Sequence, residues 1–432
     1  MPTNPVRGIL YSIKSLLSPA SWVLYDLANT IFSFAVLSFY FPLWLKAVGG
    51  SDQIFTNALA VSYLLVFITA PVLGAISDQA PRRIPFLVIT TLICIGLTFF
   101  LGSGGLLLSL VLVAIANYFY QVGLIFYDAL LADVSTEKNR GLIGGIGVGL
   151  GYCGSLVGLL IGSLVLGNST STDRYSLVFK GIALSFLLFS LPCFFLVREK
   201  ERHAFVVSPA AAAAEVLRNL RNTWGIMRRC EGLGRFLLGR VFYTDAANTL
   251  ILVMAIYMTE EIGLSRTDAE KIAFVSIIAA IFGGIVWGVV VDRVGPKRTL
   301  DMVLILWMIV LASGIAVPAL HLSSQFFWVI GCLAGIALGG TWSSDRPLMI
   351  RLSPRDYLGQ LYGLYSMAGR FSAIVGPLLW GLIVDTLGLG RPLAVASLLI
   401  MVLISYLILL KVDDSVRAWR GEKYVPATTY LR

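Results

Sequence analysis

The sequence predicts an all-α membrane protein whose twelve transmembrane helices form two pseudo-symmetric six-helix bundles. Three observations carry that prediction. Of 432 residues, 57% are hydrophobic and only 13% charged, with a mean hydropathy of +0.85, far more apolar than a soluble globular chain. The apolar residues run unbroken for about the 20 positions a spanning helix needs, whereas a membrane barrel would alternate apolar and polar residues. Short motifs of the first half then recur, in order, in the second half.

Taken along the chain, the apolar runs place spans at 19–46, 54–77, 84–102, 105–130, 140–166 and 175–197, then at 233–259, 268–291, 299–318, 323–348, 357–386 and 391–411. Lys14 interrupts the apolar stretch before span one, so no signal peptide is expected and the first span is retained. The predicted organisation is a cytoplasmic N-terminal segment (1–18), a first bundle (19–197), a cytoplasmic linker (198–232), a second bundle (233–411) and a cytoplasmic tail (412–432). Within the linker, Ser208 and Pro209 read as the N-cap and first residue of a surface helix over 210–220. Arg82/Arg83, Lys138/Arg140, Arg293/Lys297/Arg298 and Arg351/Arg355 fall in alternate loops, which puts both termini on the cytoplasmic side.

The net charge of +9 is explained by those loops and by contact with anionic lipid, so nucleic acid is not expected as a partner. Five cysteines without zinc-type spacing read as packing residues, and two histidines in loops leave no metal site. No catalytic nucleophile with its base and no Walker motif is present, so neither an enzyme nor an ATP-driven pump is expected, and no cofactor. Gly149-Leu-Gly151-Tyr-Cys-Gly154 matches GxGxxG but lies inside a span, and Gly154, Gly158 and Gly162 instead give span five a smooth packing face. Asn168-Ser-Thr170 is a glycosylation sequon read as chance.

The repeat is specific. Asp26-Leu-Ala-Asn29-Thr30 returns as Asp245-Ala-Ala-Asn248-Thr249 at an offset of 219, and Gly74-xxx-Asp78 as Gly288-xxx-Asp292 at 214. Ser135–Gly141 answers Ser353–Gly359 at 218. Six spans per half keep the two copies in the same orientation, as in transporters built from parallel repeats.

The loop Gly288-Val-Val-Val-Asp292-Arg293-Val-Gly295-Pro296-Lys297-Arg298 resembles the loop signature of the major facilitator superfamily, and the copy after span two is degenerate. Its aspartate, at a cytoplasmic helix end, is placed to accept hydrogen bonds from a neighbouring helix N-terminus. Asp78, Asp292 and Arg293 are therefore expected to form latches. Tyr25-Asp-Leu-Ala-Asn29-Thr-Ile-Phe32, Tyr127-Asp-Ala-Leu-Leu-Ala-Asp133, Arg240-Val-Phe-Tyr243-Thr-Asp245-Ala-Ala-Asn248 and Gly359-Gln-Leu-Tyr-Gly363 resemble a narrower group, the autophagy-related vacuolar effluxer family and its bacterial relatives. That resemblance implies the major facilitator fold and a secondary transporter of amino acids or similar solutes. Asp128 and Asp345 depart from the pattern, standing where Asn and a small polar residue are expected.

Ionisable groups at membrane depth are costly and mark function by default. Arg370, thirteen residues into span eleven, is expected to bind a substrate carboxylate or to pair with Asp245 or Asp26. Asp26 and Asp245, each on one helix face with an Asn three residues on, are candidate proton carriers, with a structural pair such as Asp245–Arg240 as the alternative. Tyr25, Asn29, Tyr243 and Asn248 are the remaining candidate substrate contacts. Asp128 and Asp345, with Arg140, Arg346 or Arg351, are expected as gate salt bridges.

The reading is a monomeric secondary transporter in the bacterial inner membrane. It moves amino acids or similar zwitterions by rocker-switch alternating access, exporting or equilibrating them, with protons as the candidate coupling ion; the sequence does not fix the direction. Lysolipid-like substrates, or a receptor or assembly role on the same fold, are the alternatives.

Overall fold

The computed structural model describes residues 5–50, 52–167, 171–200, 225, 227, 230–415, 417–420 and 423–426. The expected linker helix over 210–220 and the sequon lie outside the described residues.

Twelve helical rods appear among the described residues. Span one is the longest: an α-helix, Pro5–Thr30, runs through a π-helical stretch, Ile31–Tyr40, into a short α-helix, Phe41–Ala47. Spans two to six are Asp52–Gln79, Ile84–Phe99, Gly105–Val134, Arg140–Leu166 and Thr172–Leu196. Spans seven to twelve are Leu233–Ile256, Arg266–Val294, Pro296–Ala319, Phe326–Leu352, Leu358–Gly381 and Arg391–Leu409. Spans seven and eleven each finish in one π-helical turn, Tyr257–Glu261 and Leu382–Thr386. Such widened turns inside α-helices recur at functional sites.

Ten of these helices are long and apolar enough to cross a membrane. Span three is apolar but ends at Phe99 rather than the expected 102, because the chain turns at Gly102 with a left-handed φ of +75°. Span eleven is not among the ten, and Gln360, Ser366 and Arg370 lie within its length. The tail carries a small feature the sequence did not announce, an antiparallel pair of strands, Arg417–Arg420 and Lys423–Pro426, with Arg417 opposite Pro426.

The chain divides into two compact units, Met1–Glu137 with Ile146–Val216, and Lys138–Gly145 with Leu217–Arg432. The boundary runs through span five. Its first two turns go with the second unit because Gly141 and Gly145 lie backbone to backbone on Gly284 and Gly288 of span eight: a Cβ on Gly288 would sit 2.5 Å from the Gly141 carbonyl oxygen. The rest of span five packs on span one, where a Cβ on Gly158 would sit 2.6 Å from the Ala35 methyl. In lipid, helices gain little from hydrophobic transfer, so close van der Waals contact of this kind carries the association. Around it the first unit's core is aromatic, with Phe32, Phe41, Trp44, Phe179 and Phe186 buried together.

Candidate functional site

In the first unit, Trp22 of span one stacks on Tyr127 of span four, with ring centroids 4.6 Å apart. The pair is tied twice, by Trp22 Nε1 donating to the Tyr127 carbonyl at 3.0 Å and by the Tyr127 hydroxyl donating to the Trp22 carbonyl at 3.1 Å. Tyr25 is buried and shares a 2.5 Å hydrogen bond with Thr91 of span three. Its hydroxyl is thus committed within the wall. One residue on, Asp26 is buried against span five, where a Cβ on Gly147 would lie 3.1 Å from Asp26 Oδ2. A side chain at Gly147 would crowd that carboxylate and the Trp22 ring. Asn29, also buried, has an amide nitrogen with no hydrogen-bond partner among the described residues. Asp128 is buried in span four.

At the ends of spans two and three, Asp78 pairs with Arg83, whose guanidinium also lies 4.0 Å from Asp133. Arg83 is almost fully buried. Glu199, just past span six, accepts from the backbone N–H of Arg83 at 2.6 Å and of Ile84 at 2.7 Å, which satisfies the start of span three and places a negative charge at its positive end.

The second unit holds the densest charge cluster. Arg240 of span seven donates through Nε to Asp345 Oδ2 of span ten at 3.0 Å and through Nη1 to the Tyr365 carbonyl of span eleven at 3.1 Å, and lies 3.5 Å from the centroid of the Tyr365 ring. Asp345, fully buried, also accepts from the Tyr243 hydroxyl at 2.6 Å and the Tyr365 hydroxyl at 2.8 Å. Three spans are joined through one ion pair whose partners are otherwise satisfied, the condition under which a buried pair is tolerated.

This geometry corrects two expected pairings. Arg240 binds Asp345 and not Asp245, because five residues along a helix turn the side chains about 140° apart. Asp345 accordingly serves neither Arg346 nor Arg351. Arg346 is on the same helix one residue away, about 100° round, and Arg351 instead meets Asp414 at 3.3 Å.

Asp245 takes a different partner. Its Oδ1 accepts from the backbone N–H of Gly376 in span eleven at 2.8 Å, and a Cβ at Gly376 would collide with Asp245 and Thr249 together. Asp245 and Thr249 are both fully buried, yet neither Asp245 Oδ2 nor Thr249 Oγ1 has a hydrogen-bond partner among the described residues. Thr249 lies beside the carboxylate, and its hydroxyl can either donate or accept there. Asn248 and Arg370 are half-buried. Tyr362 donates to the carbonyl of the half-buried Arg346 at 3.2 Å.

At the loop after span eight, Asp292 accepts from the N–H of Gly141 at 2.7 Å and of Leu142 at 2.8 Å, one oxygen for each, capping the start of span five. The charges of Arg140 and Arg351 reach the same carboxylate. Arg293 is exposed. Lys297 pairs forward with Asp301 at 2.5 Å. Its backbone N–H, at the start of span nine, donates to Asp414 at 3.2 Å. Glu199 and Asp414 thus do the same work in the two units, a role the sequence reading missed. Its signal was there, since the two lie 215 apart, within one residue of the offset of the loops they serve.

The sequence model of the family described as "Vacuole effluxer Atg22 like" matches residues 132–418. The chain belongs to this family. Among its Atg22-like relatives, an uncharacterized MFS-type transporter of Bacillus subtilis (strain 168), YxiO, is 26% identical over 91% of this chain and 94% of its own length. Autophagy-related protein 22 of Kluyveromyces lactis is 24% identical over 60% of this chain, which spans about half (54%) of that longer protein. The fold is shared with solved transporters of the major facilitator superfamily. FucP in its outward conformation superimposes with a TM-score of 0.72 at 14% identity, over 93% of this chain and 99% of that one. A bacterial homologue of the iron transporter ferroportin gives 0.72 at 16%, over 92% and 98%. This Atg22-like chain is therefore a multi-pass membrane protein of the major facilitator type and not an enzyme. Among the described residues, no cluster of three or more His, Cys, Asp or Glu could hold a metal ion.

Proposed function

We propose that this chain moves small zwitterions, amino acids first among them, out of the cytoplasm by rocker-switch alternating access, with protons loading at Asp245 and Asp26. The observation that carries the reading is the contrast between two intramembrane arginines. Arg240 is buried and its guanidinium is occupied by Asp345, the Tyr365 carbonyl and the Tyr365 ring. Arg370, in the middle of span eleven, is half-buried and stands outside that cluster. Its planar fork matches the carboxylate of an amino acid, and the half-buried Asn248 amide offers a complementary polar group. Asp245 is fully buried and packed against the Gly376 backbone, a setting that suits a proton better than a bulkier cation. Both termini are read as cytoplasmic, in a bacterial inner membrane.

Counterflow in proteoliposomes tests this, with one unlabelled amino acid inside at a time and entry of the labelled compound followed. Exchange is expected for the wild type, reduced in Arg370→Lys and abolished in Arg370→Ala. Asp245→Asn, which imitates the protonated carboxyl, is expected to keep exchange and lose accumulation driven by a pH gradient. Folded wild-type protein that exchanges nothing across the panel overturns the reading.

A further inference from the structure

Of the seven threonines buried in the described spans, six spend the hydroxyl in one way. Thr90, Thr91, Thr98, Thr244, Thr299 and Thr341 each donate to the carbonyl one turn back, at 2.6–2.9 Å. That acceptor is always within reach inside a helix, so the bond is the default for a threonine with nothing else to do. Thr249 departs from it. Its hydroxyl oxygen turns instead to the Gly376 backbone, where the Asp245 carboxylate also lies, and forms no hydrogen bond among the described residues. Thr30, its counterpart 219 residues earlier, keeps the default and donates to the Asp26 carbonyl at 3.0 Å. We propose that Thr249 is the positioning residue of the Asp245 carboxyl: its hydroxyl donates to the ionised form, accepts from the protonated form, and so sets the pH at which the site loads. This rests on the reading of Asp245 as a proton carrier.

The division of labour between the two carboxylate oxygens makes the first argument. Oδ1 accepts from the Gly376 N–H at 2.8 Å, a backbone donor that cannot turn round when the carboxyl gains a proton. Oδ2 is left for the proton. A buried site that must hold both forms in turn needs a group able to reverse its hydrogen bond, since a fixed donor favours only the charged form and a fixed acceptor only the neutral one. A hydroxyl reverses by rotating about one bond. Thr249 Oγ1 is free to do so because it has given up the carbonyl that holds the other six.

The second argument is that no charge competes for the role. Span eleven carries one charged residue, Arg370, six positions before Gly376 and therefore about 120° round the helix and about 9 Å along it. In span ten, Asp345 is held by Arg240 and Arg351 by Asp414, and Arg346 follows Asp345 directly. Span twelve has only Arg391, at its start, 4.0 Å from Glu261. Span eight has its charges in its first six and last three residues. The groups that act on the Asp245 carboxylate are the Gly376 N–H and the Thr249 hydroxyl, with no charged side chain of the described residues among them. The hydroxyl is thus near enough to act on the carboxylate while short of a formed hydrogen bond.

Infrared difference spectroscopy of the purified full chain in lipid nanodiscs, titrated with pH, tests the proposal without requiring transport. The protonated-carboxyl band that Asp245→Asn removes is the Asp245 signal, and its midpoint is the readout. Thr249→Val keeps the shape and removes the hydroxyl. The ionised form then loses a bond to a charged group and the neutral form a weaker one, so the proton should be held to a pH about one unit higher. Thr249→Ser, which restores the hydroxyl, should titrate close to wild type. Thr244→Val deletes a back-bonded hydroxyl beside the same carboxylate and should leave the midpoint in place. Thermal unfolding checks each variant, and Thr249→Ala carries the same expectation where Thr249→Val does not fold. A midpoint that loss of the Thr249 hydroxyl leaves unmoved, or that Thr244→Val moves equally, overturns the positioning role and leaves the transport reading standing. A titration in which Asp245→Asn removes no band overturns the proton carrier itself, and the proposal with it.

Discussion

The loops after span two and after span eight are written from one pattern, a glycine, an aspartate four residues on and a basic residue five further, and the basic residue takes a different partner in each. In the first, Asp78 turns back on its own loop to Arg83. In the second, Asp292 ignores Lys297 at the same spacing and takes two backbone N–H groups of span five. The difference traces to a third residue. Lys297 has an acidic partner one turn ahead, Asp301, whereas the position at the same offset from Arg83 is Leu87. Lys297 is drawn forward to Asp301 and leaves Asp292 to the start of span five, whereas Arg83, with no acid ahead of it, pairs back with Asp78. The neighbouring charges are exchanged as well. Asp133, which supports Arg83, is matched at offset 218 by Arg351, whose charge acts on Asp292.

Breaking the second loop should have the largest effect. Asp292→Ala strips two N–H groups of their charged acceptor, at a cost of about 2–4 kcal/mol. Thermal unfolding should register the loss, and hydrogen exchange should rise at Gly141 and Leu142 while Ile84 stays protected. Next comes the pair that caps spans three and nine. Glu199→Gln, with contacts of 2.6 and 2.7 Å, should lower stability by about 1–2 kcal/mol, and Asp414→Asn, with contacts of 3.2 and 3.3 Å, by less. The same unfolding assay ranks them, and equal effects would deny that the two caps differ.

Asp301→Leu rebuilds the first loop's arrangement in the second. Lys297 should swing back to Asp292, and exchange at Gly141 should rise by a smaller amount than in Asp292→Ala, corresponding to about 1 kcal/mol. Unchanged exchange would refute the explanation from Asp301. Smallest of all, Arg293→Gln should leave the melting temperature within the range of ordinary surface substitutions, about 0.5 kcal/mol.

The spans were legible because hydropathy is a property of the chain itself, whereas the unit boundary inside span five was not, since it is set by Gly141 and Gly145 meeting span eight. Asp292 was legible too, since an acid at a helix end next to a loop has few things to do besides meet a helix N-terminus. The Arg240–Asp345–Tyr243–Tyr365 cluster was not. Its members come from three spans, and spacing along one helix says which residues share a face without saying which face of another helix they meet. Arg240 was visible only as a neighbour of Asp245, five residues away and pointing elsewhere. Gly376 illustrates the same limit: its N–H is a ligand of Asp245, and no side chain marks it. Ends of spans drifted for a local reason, since Gly102 and the π-turns after spans seven and eleven reset the helix where the apolar run continues unchanged.

The contact between Gly141–Gly145 and Gly284–Gly288 has a kinetic meaning. Interlocked side chains must leave one rotamer and find another each time two helices part, and that search sets an activation barrier. Bare backbone has no rotamers to reset. Separating these helices would cost both that close van der Waals contact and the two hydrogen bonds at Asp292, with no side chain to repack.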